Sequence, residues 1–259
     1  MKRIYLNKYS IAAVLFLVAA AALITLALNI YFTEFIVAAF VISAMAMGMT
    51  GIFILTFAGG EPVDPRLVGL LPAQGCVNLC RIASDLEING RAYFLPRRVT
   101  GETRVMQFNP VSTYKGGEVP AQTSFPKTGP AGLVTIPSGN PLVLELRKRN
   151  ALVIPDNEDQ LAQLLREATG EIFDFAPRVS ASWNKSTVTI IFHHYRFIAG
   201  CQYIAQESPG CCTRYPCPAC SLCGVLITEG TDKVVSLDEC SISASKQDVV
   251  MIYSIVPSP

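Results

Sequence analysis

The sequence predicts an α+β protein, with an N-terminal transmembrane helical hairpin followed by a cytoplasmic domain that contains β-hairpins and two helix-hairpin (αββ) units. Three observations lead to this class. Two long apolar runs open the chain, turn dipeptides separate short apolar segments in its middle, and two helical patterns near its end are each followed by a pair of strand patterns.

The composition indicates that part of the chain does not face water. Of the 259 residues, 51% are hydrophobic and 16% are charged, whereas roughly 25% of the residues of a typical soluble domain are charged. The formal net charge is only +1, so the chain offers no strong field to a polyanion. We therefore expect no nucleic-acid partner.

Residues 1–58 read as a two-helix transmembrane anchor. Between Ser10 and Ala58 the only ionisable acid or base is Glu34, which separates the apolar runs Ser10–Phe32 and Phe35–Ala58. Each run exceeds the roughly 20 residues that span a bilayer core. A cleaved signal peptide has one shorter apolar region and is not followed at once by a second span. The lipid bilayer is thus the first expected partner.

The charges around the first run predict the orientation of the anchor. Lys2, Arg3 and Lys8 precede it, while the short connection Asn29–Phe35 carries no basic residue. Basic residues stay on the cytoplasmic side of a membrane. We expect an integral protein of the cell membrane with both termini in the cytoplasm.

Residues 59–72 are predicted to be a linker, because their first seven residues contain two glycines and two prolines. A β-rich segment is expected over residues 73–155. It opens with a short helix over Ala73–Leu86, which carries Cys76 and Cys80 on one face.

Several strands are predicted in the β-rich segment. The dipeptide Asn89-Gly90 favours a two-residue hairpin between 85–88 and 91–95. A third strand is expected over 103–108, and a second hairpin between 133–136 and 142–146. Residues 110–130 are rich in Gly, Pro, Ser and Thr and are predicted to be a mobile loop. The basic run Arg147-Lys148-Arg149 reads as a solvated strand end.

Residues 156–259 are predicted to form an α+β domain with two αββ units. The first unit has a helix capped by Asp156 and ending at Gly170, then strands over 178–183 and 187–197. The second has a helix from about Pro218 to Glu229, then strands over 234–243 and 248–256.

The two units match each other when the sequence is shifted by 61 positions without a gap. The shift superposes serines, lysines and apolar residues, namely Ser180 on Ser241, Ser182 on Ser243, Lys185 on Lys246, Val188 on Val249, Ile191 on Ile252 and Leu161 on Leu222. Either a duplication or the chance similarity of two hairpins explains this match.

Nine cysteines are the most conspicuous chemical feature of the chain. The candidate metal ligands are Cys211, Cys212, Cys217, Cys220 and Cys223, whose spacing contains two overlapping C-x-x-C patterns. Thiolates so spaced can bind zinc or an iron-sulfur cluster. If the last three are ligands, the fourth sulfur has to come from Cys211, Cys212, Cys201 or Cys240.

The same cysteines can also be buried structural thiols. Cys217, Cys220 and Cys223 recur at helical spacing beside apolar residues, and Pro218–Thr228 contains no charge. Free cysteine behaves as a small hydrophobe in such a setting. A redox role or acylation of a thiol is the third alternative.

Two adjacent histidines attract attention but are expected to be ordinary strand residues. Neighbouring strand residues point to opposite faces, so His193 and His194 cannot bind one metal together. No acidic residue lies close in sequence to orient either ring. The chain has no phosphate-binding loop and no nucleophile elbow, so no catalytic residue is assigned and an enzyme is not the leading expectation.

The order of short motifs resembles a family of uncharacterised archaeal two-helix membrane-anchored proteins with a cytoplasmic, cysteine-containing α+β domain. The motifs are Tyr93-Phe94-Leu95-Pro96-Arg97, Met106-Gln107-Phe108-Asn109-Pro110, residues 132–139 and Cys217-Pro218-Ala219-Cys220-Ser221. The resemblance covers most of the chain. It implies the architecture and the localisation and brings no catalytic residue.

A second likeness concerns the last forty residues. A helix of small residues followed by Asp238-Glu239-Cys240 and by residues 248–255 is similar to the end of vinyl-reductase-like ligand-binding domains. In those domains a cysteine-bearing hairpin closes a pocket for small hydrophobic molecules. The Cys-rich segment that precedes it here departs from that pattern.

Three hypotheses about function follow. The first is a membrane-anchored cytoplasmic binding or scaffolding module for a protein partner or a small hydrophobic ligand. The second is a metal or redox protein that uses the cysteines between Cys211 and Cys223. The third is an accessory subunit of a membrane complex.

Overall fold

A computed structural model describes residues 8–29, 34–57, 63–126, 128–150, 153–243, 245 and 247–256 of the chain, with the backbone alone for residues 8–10, 149 and 150. The chain divides into two compact units, residues 1–63 and 64–259. The architecture is mixed α+β, which confirms the predicted class.

The first unit contains two long helices, α1 (Lys8–Asn29) and α2 (Glu34–Phe57). Small residues lie where the two helices meet. Gly51 lies against Ala13, and Gly48 lies against Ala20. Close approach of this kind favours helix association in lipid. The contacts run in opposite order along the two helices, so the pair is antiparallel.

Three stretches of the described chain are long and apolar enough to cross a membrane, namely Ile11–Asn29, Glu34–Thr56 and Pro65–Asp85. The first two are the predicted spans. The third was not predicted and belongs to the second unit, where it is divided into two helices and buries Val77 and Cys80. Its length and composition are compatible with membrane association, as are those of the other two.

Parts of the predicted anchor and linker lie outside the described residues. These are Lys2, Arg3, residues 30–33 of the connection and residues 58–62. The predicted linker 59–72 is too long, because it contains helix α3 (Pro65–Leu70). The Asp64 side chain accepts a hydrogen bond from the Arg66 N–H (2.9 Å) and thereby caps this helix.

The second unit is built on one sheet of seven antiparallel strands in the order β3-β2-β1-β6-β7-β5-β4. The strands are β1 (Tyr93–Leu95), β2 (Met106–Pro110), β3 (Gly132–Thr135), β4 (Arg178–Asn184), β5 (Thr187–His193), β6 (Val234–Ser243) and β7 (Asp248–Val256). The pairing of β1 with β6 joins the middle of the chain to its end.

Eight helices of the second unit accompany the sheet in the described residues. They are α3, α4 (Ala73–Asp85), α5 (Arg97–Thr100), α6 (Asn140–Asn150), α7 (Glu158–Arg166), α8 (Ile198–Glu207), α9 (Cys211–Arg214) and α10 (Pro218–Thr231). Helix α7 continues as a π-helical segment, Glu167–Ile172.

The two faces of the sheet have different covers. On one face, strand residues such as Ile190 and Tyr253 share the main core with Leu165, Leu222 and Leu226 of the helices. The opposite face is covered beside β1, β2 and β3 by residues 111–131, through buried Tyr114 and Val119. Residues 110–130 were predicted to be a mobile loop with few apolar anchors, and Tyr114 and Val119 are buried anchors within it.

The predicted hairpin at Asn89-Gly90 is wrong. Helix α4 continues through Asp85, the following strand begins only at Tyr93, and the Gly90 N–H donates to the Pro110 carbonyl (3.0 Å). Strand β1 pairs instead with the next strand, β2, and with β6, which is far away in sequence. Long-range pairing thus overrides the local turn signal.

The predicted strand over residues 142–146 is also wrong, because these residues lie in α6. Val143 and Leu146 of this mostly apolar stretch are three residues apart, as on one face of a helix, and both are buried. Gly139, which precedes α6, lies against the backbone of Ser221 and Leu222 in α10. This contact places the first turn of α6 beside α10. Arg147 therefore lies on a helix, where it pairs with Glu229 (2.7 Å) instead of ending a strand.

Three smaller differences concern the last hundred residues. Asn157, and not Asp156, caps α7, and the helical path continues beyond Gly170 to Ile172. The strand predicted over 187–197 ends at His193. Helix α8 follows it and was not predicted.

Candidate functional site

The N-terminus of α10 brings two cysteines together. Cys217 is the N-cap with extended backbone angles, Pro218 occupies the first helical position, and Cys220 follows one turn later. Proline suits this position because its fixed φ is helical and its missing N–H would have no partner there. The Sγ atoms of Cys217 and Cys220 are 3.6 Å apart.

These two thiols belong to a row of five, which we call the thiol row: Cys201, Cys217, Cys220, Cys240 and Cys212. Helix α8 supplies Cys201, β6 supplies Cys240 and α9 supplies Cys212. Cys201 lies beside Cys217, and Cys212 lies beside Cys240. The Sγ atoms of Cys220 and Cys240 are 4.0 Å apart. Four elements thus meet at their sulfur atoms.

Hydrogen bonds shift the pKa values of the row in both directions. Hydrogen bonds with the thiols of Cys201 and Cys220 and with the backbone N–H groups of Cys220 and Ala219 lower the pKa of Cys217 well below its usual value. The thiols of Cys212 and Cys220 lower the pKa of Cys240 to about 5. The pKa of Cys220 is raised, because it is hydrogen-bonded to Cys217 and Cys240 and is buried.

A second thiol group lies next to the row and consists of Cys76, Cys80 and Cys211. The Cys211 thiol donates to the Cys76 carbonyl (3.4 Å), and the Ser208 hydroxyl donates to the Cys80 sulfur (3.6 Å). Burial raises the pKa of Cys211. Cys223 lies apart from both groups, fully buried in the main core.

The structure separates the five predicted metal ligands. Cys212, Cys217 and Cys220 lie in the thiol row, Cys211 lies in the second group, and Cys223 lies in the core. A tetrahedral zinc site needs four sulfurs around one point, each roughly 2.3 Å from the metal. Within the described part of the chain, no group of three or more His, Cys, Asp or Glu side chains could hold a metal ion.

An apolar cavity of about 320 Å³ opens beside the thiol row. Its walls come from α3 through Val68, from the aromatic rings of Phe175 and Phe197, and from the start of α10. Cys201 and Cys217 also line it. We call it the thiol cavity, because two cysteines of the row line a space whose other lining residues are mostly apolar.

Two glycines set the distance between the helices that wall the thiol cavity. Gly69 of α3 and Gly200 of α8 touch backbone to backbone, and a methyl group on Gly200 would overlap the Gly69 carbonyl. Glycine allows such close approach because it has no Cβ. The contact joins elements that are far apart in sequence, so no local pattern indicates it.

A larger and more polar cavity of about 580 Å³ lies near the end of α10. Arg97 and Arg147 both line it, and both form ion pairs with Glu229 (3.9 and 2.7 Å). Both arginines thus already have an ionic partner within the protein. We therefore consider this cavity a weaker candidate for a ligand site than the thiol cavity.

Both histidines were expected to be strand residues, and the structure places His193 in a strand but His194 outside it. His193 is the last residue of β5, and His194 follows it in a turn with a positive φ of 53°. Asp248 of β7 lies beside His193 (Oδ2 to Nδ1, 3.4 Å), and Ser180 of β4 contacts the other ring nitrogen at 3.0 Å. An acidic residue therefore does orient the ring, across the sheet.

Comparison with known proteins identifies one family for this chain. A family model described as "Domain of unknown function (DUF7982)" matches residues 7–254. No curated protein and no solved structure gives a match.

Proposed function

Since the chain belongs to the DUF7982 family, whose description carries no activity, we propose a function from its geometry: a membrane-anchored module that binds a small apolar molecule in the thiol cavity. The single observation that carries this proposal is the cavity itself. It is concave and mostly apolar, and two cysteines are among the residues that line it; small-molecule sites are likewise concave and mostly apolar with a few polar groups.

The volume of the thiol cavity limits the size of its ligand. About 320 Å³ lies near the lower end of the roughly 300–1,000 Å³ found for small-molecule pockets. A molecule of one or two aromatic rings suits this space. A full lipid chain with its headgroup does not.

The apolar N-terminal helices support the membrane part of the proposal. Helix α3, which forms part of the cavity wall, begins at Pro65, eight residues after α2 ends at Phe57. With Lys2, Arg3 and Lys8 before the first span, we place both termini in the cytoplasm. A ligand that partitions into the bilayer would then be concentrated near the protein.

Binding of a neutral aromatic probe tests the proposal. We expect phenylnaphthylamine to bind the full-length chain in lipid nanodiscs with one site per chain, as measured by equilibrium dialysis against protein-free nanodiscs. Ala219 lines the cavity and is buried. Ala219→Leu should fill part of the cavity and weaken binding at least about tenfold, which corresponds to about 1.4 kcal/mol.

The matched control is Ala199→Leu, the same substitution on α8 at a half-buried position that does not line the cavity. It should leave probe binding unchanged. Retention of the probe at the level of empty nanodiscs, or equal binding by both variants, would reject the proposal.

We also propose that the two αββ units arose by duplication. One strand pairing supports this proposal, and another does not fit it. Ile190 pairs with Met251 where β5 meets β7, and these residues are equivalent under the 61-residue shift, as a duplication related by a twofold axis requires. However, Ser180 faces Ile191, whereas Ser241 faces Val250. Lys246, one of the matched residues, lies outside the described part of the chain.

A further inference from the structure

The thiol cavity and the Cys217–Cys220 pair meet at one residue, Cys217. Cys217 lines the cavity, although the residue is only 6% exposed. Its sulfur is 3.6 Å from that of Cys220, which is 1% exposed. A molecule in the cavity therefore meets Cys217 first, and Cys220 lies behind it.

The surroundings of Cys217 favour its thiolate. Thiols become nucleophilic when they lose their proton, and a helix N-terminus stabilises the resulting charge. Here hydrogen bonds with the Cys201 and Cys220 thiols and with the backbone N–H groups of Cys220 and Ala219 lower the pKa of Cys217. Hydrogen bonds and burial raise the pKa of Cys220, so its thiol keeps its proton.

The second thiol is placed to resolve a mixed disulfide. Rotation of the two side chains has to shorten the distance between the sulfurs from 3.6 Å to the roughly 2.05 Å of a disulfide. Cys223, one turn further along α10, is fully buried in the core and does not line the cavity. The three cysteines of α10 thus have distinct positions: one at the cavity, one behind it and one in the core.

We propose that Cys217 and Cys220 form a redox-active dithiol, which reduces small apolar disulfides that enter the thiol cavity. This inference goes beyond the proposed binding function, although it uses the same cavity as the route of access.

The reaction balances in two exchange steps. In the first step, the Cys217 thiolate attacks one sulfur of the substrate R–S–S–R, its S–S bond breaks, and RS⁻ leaves. In the second step, Cys220 loses its proton and attacks the Cys217 sulfur of the mixed disulfide, and the second RS⁻ leaves. The two protons of the dithiol end on the two RS⁻ groups. The substrate is reduced to two thiols, and the protein dithiol is oxidised to one disulfide.

The test uses dithiodipyridine, a neutral aromatic disulfide, on the fully reduced full-length chain in nanodiscs. With one equivalent of reagent, we expect a fast phase that releases two thiopyridone molecules per chain. A mixed disulfide that is not resolved would release one.

Mass spectrometry locates the product. After the remaining thiols are alkylated and the protein is unfolded, trypsin cleaves after Arg214 and Lys233 and yields peptide 215–233. This peptide should lose two hydrogen atoms, and its fragments should assign the disulfide to Cys217 and Cys220. This measurement does not depend on any variant.

Single substitutions separate the roles of the cysteines. Cys217→Ala should lose the fast phase. Cys220→Ala should keep it, release one thiopyridone and retain the other half of the reagent as a mixed disulfide. Cys223→Ala, on the same helix, is the matched control and should behave as the wild type does.

Two further comparisons test the route through the cavity. The anionic reagent dithiobis(nitrobenzoate) should react more slowly than dithiodipyridine, and Ala219→Leu should slow dithiodipyridine while Ala199→Leu does not. Equal rates in either comparison would overturn the inference, and so would a disulfide between peptides 215–233 and 234–246. If phenylnaphthylamine binds but no disulfide forms in peptide 215–233, the redox inference fails while the binding function stands.

Discussion

Two segments of the second unit have the same order of elements and differ in how their helices are buried. The first segment runs from α7 through β4 and β5, and the second from α10 through β6 and β7. Helix α7 exposes Gln163 and Arg166 to solvent, whereas α10 is buried on nearly every side from Ala219 to Thr228.

The position of each helix in the layer explains this difference. Helix α7 packs on β4, the edge strand of the sheet. Helix α10 contacts α6, α7, β1 and β6 and so lies in the middle of the layer. A helix in the middle has no face left for charged residues, and small side chains, including cysteines, let its neighbours approach. The central position of α10 therefore explains why cysteines of the thiol row lie on this helix, independently of any chemical role.

The largest effect should come from truncating the apolar side chains that anchor each helix. Leu226 of α10 and Leu165 of α7 are both fully buried in the main core. Replacement of either by Ala should lower the free energy of unfolding by about 2–5 kcal/mol, because contacts are lost and a cavity remains. Denaturant titration of the full-length chain measures this.

Surface substitutions usually change the free energy of unfolding by less than about 0.5 kcal/mol. A loss below this value for Leu165→Ala, with a large loss for Leu226→Ala, would contradict the view that both helices are anchored in the core. It would mean that α7 is not anchored as α10 is. Gln163→Ala, an exposed position of α7, provides the surface control.

Glycine substitutions should sharpen the contrast between the helices. A methyl group on Gly224 of α10 would overlap the ring of Phe94, whereas one on Gly170 would meet Val179 at an ordinary 3.4 Å. Gly224→Ala should therefore cost about 1–3 kcal/mol through overpacking. Gly170→Ala should stabilise the protein by about 0.4–1 kcal/mol, because alanine restricts the unfolded chain.

The two substitutions form a matched pair and can be compared by thermal unfolding. A melting temperature that moves in the same direction for both variants would contradict the difference in packing between the helices. The structure places Gly224 in the core and Gly170 at a half-buried position, so opposite signs are expected.

The smallest predicted effect is a pH dependence of stability due to Asp248. Asp248 is the first residue of β7 and corresponds to Thr187, the first residue of β5 in the first segment. The His194 N–H donates to its carboxylate (3.0 Å), and this bond, with His193 beside it, lowers the Asp248 pKa below its usual value of 3.8. A carboxyl group with a lowered folded pKa stabilises the protein above its unfolded pKa. That stabilisation is lost as the pH falls through the folded pKa.

Carbon-detected NMR titration should give an Asp248 pKa below 3.8 in the folded chain. The difference in stability between the wild type and Asp248→Asn should shrink as the pH falls from neutrality through that value. A pKa at or above the usual value would show that the bond to His194 is not formed in solution.

Some features of the chain follow from sequence alone, because their causes are local. The long apolar runs predict α1 and α2, since the length of an apolar run is a property of consecutive residues. The helical stripe of Leu161 and Leu165 predicts α7, and Pro218 predicts the start of α10. The C-x-x-C spacing alone brings Cys217 within one helical turn of Cys220.

Other features depended on the tertiary structure, because their causes join distant residues. Residues 142–146 are a mostly apolar run after the turn residues 137–141 and were predicted as a strand, yet they lie in helix α6, beside the contact of Gly139 with α10. The Asn89-Gly90 turn signal yields to the pairing of β1 with β6. The thiol cavity needs Gly69 and Gly200 in contact, and the thiol row needs α8, α9, α10 and β6 to meet. Local propensities are worth less than about 1 kcal/mol per residue for most residues, whereas burial of one apolar side chain contributes about 1.5–3 kcal/mol, so packing decides where the two disagree.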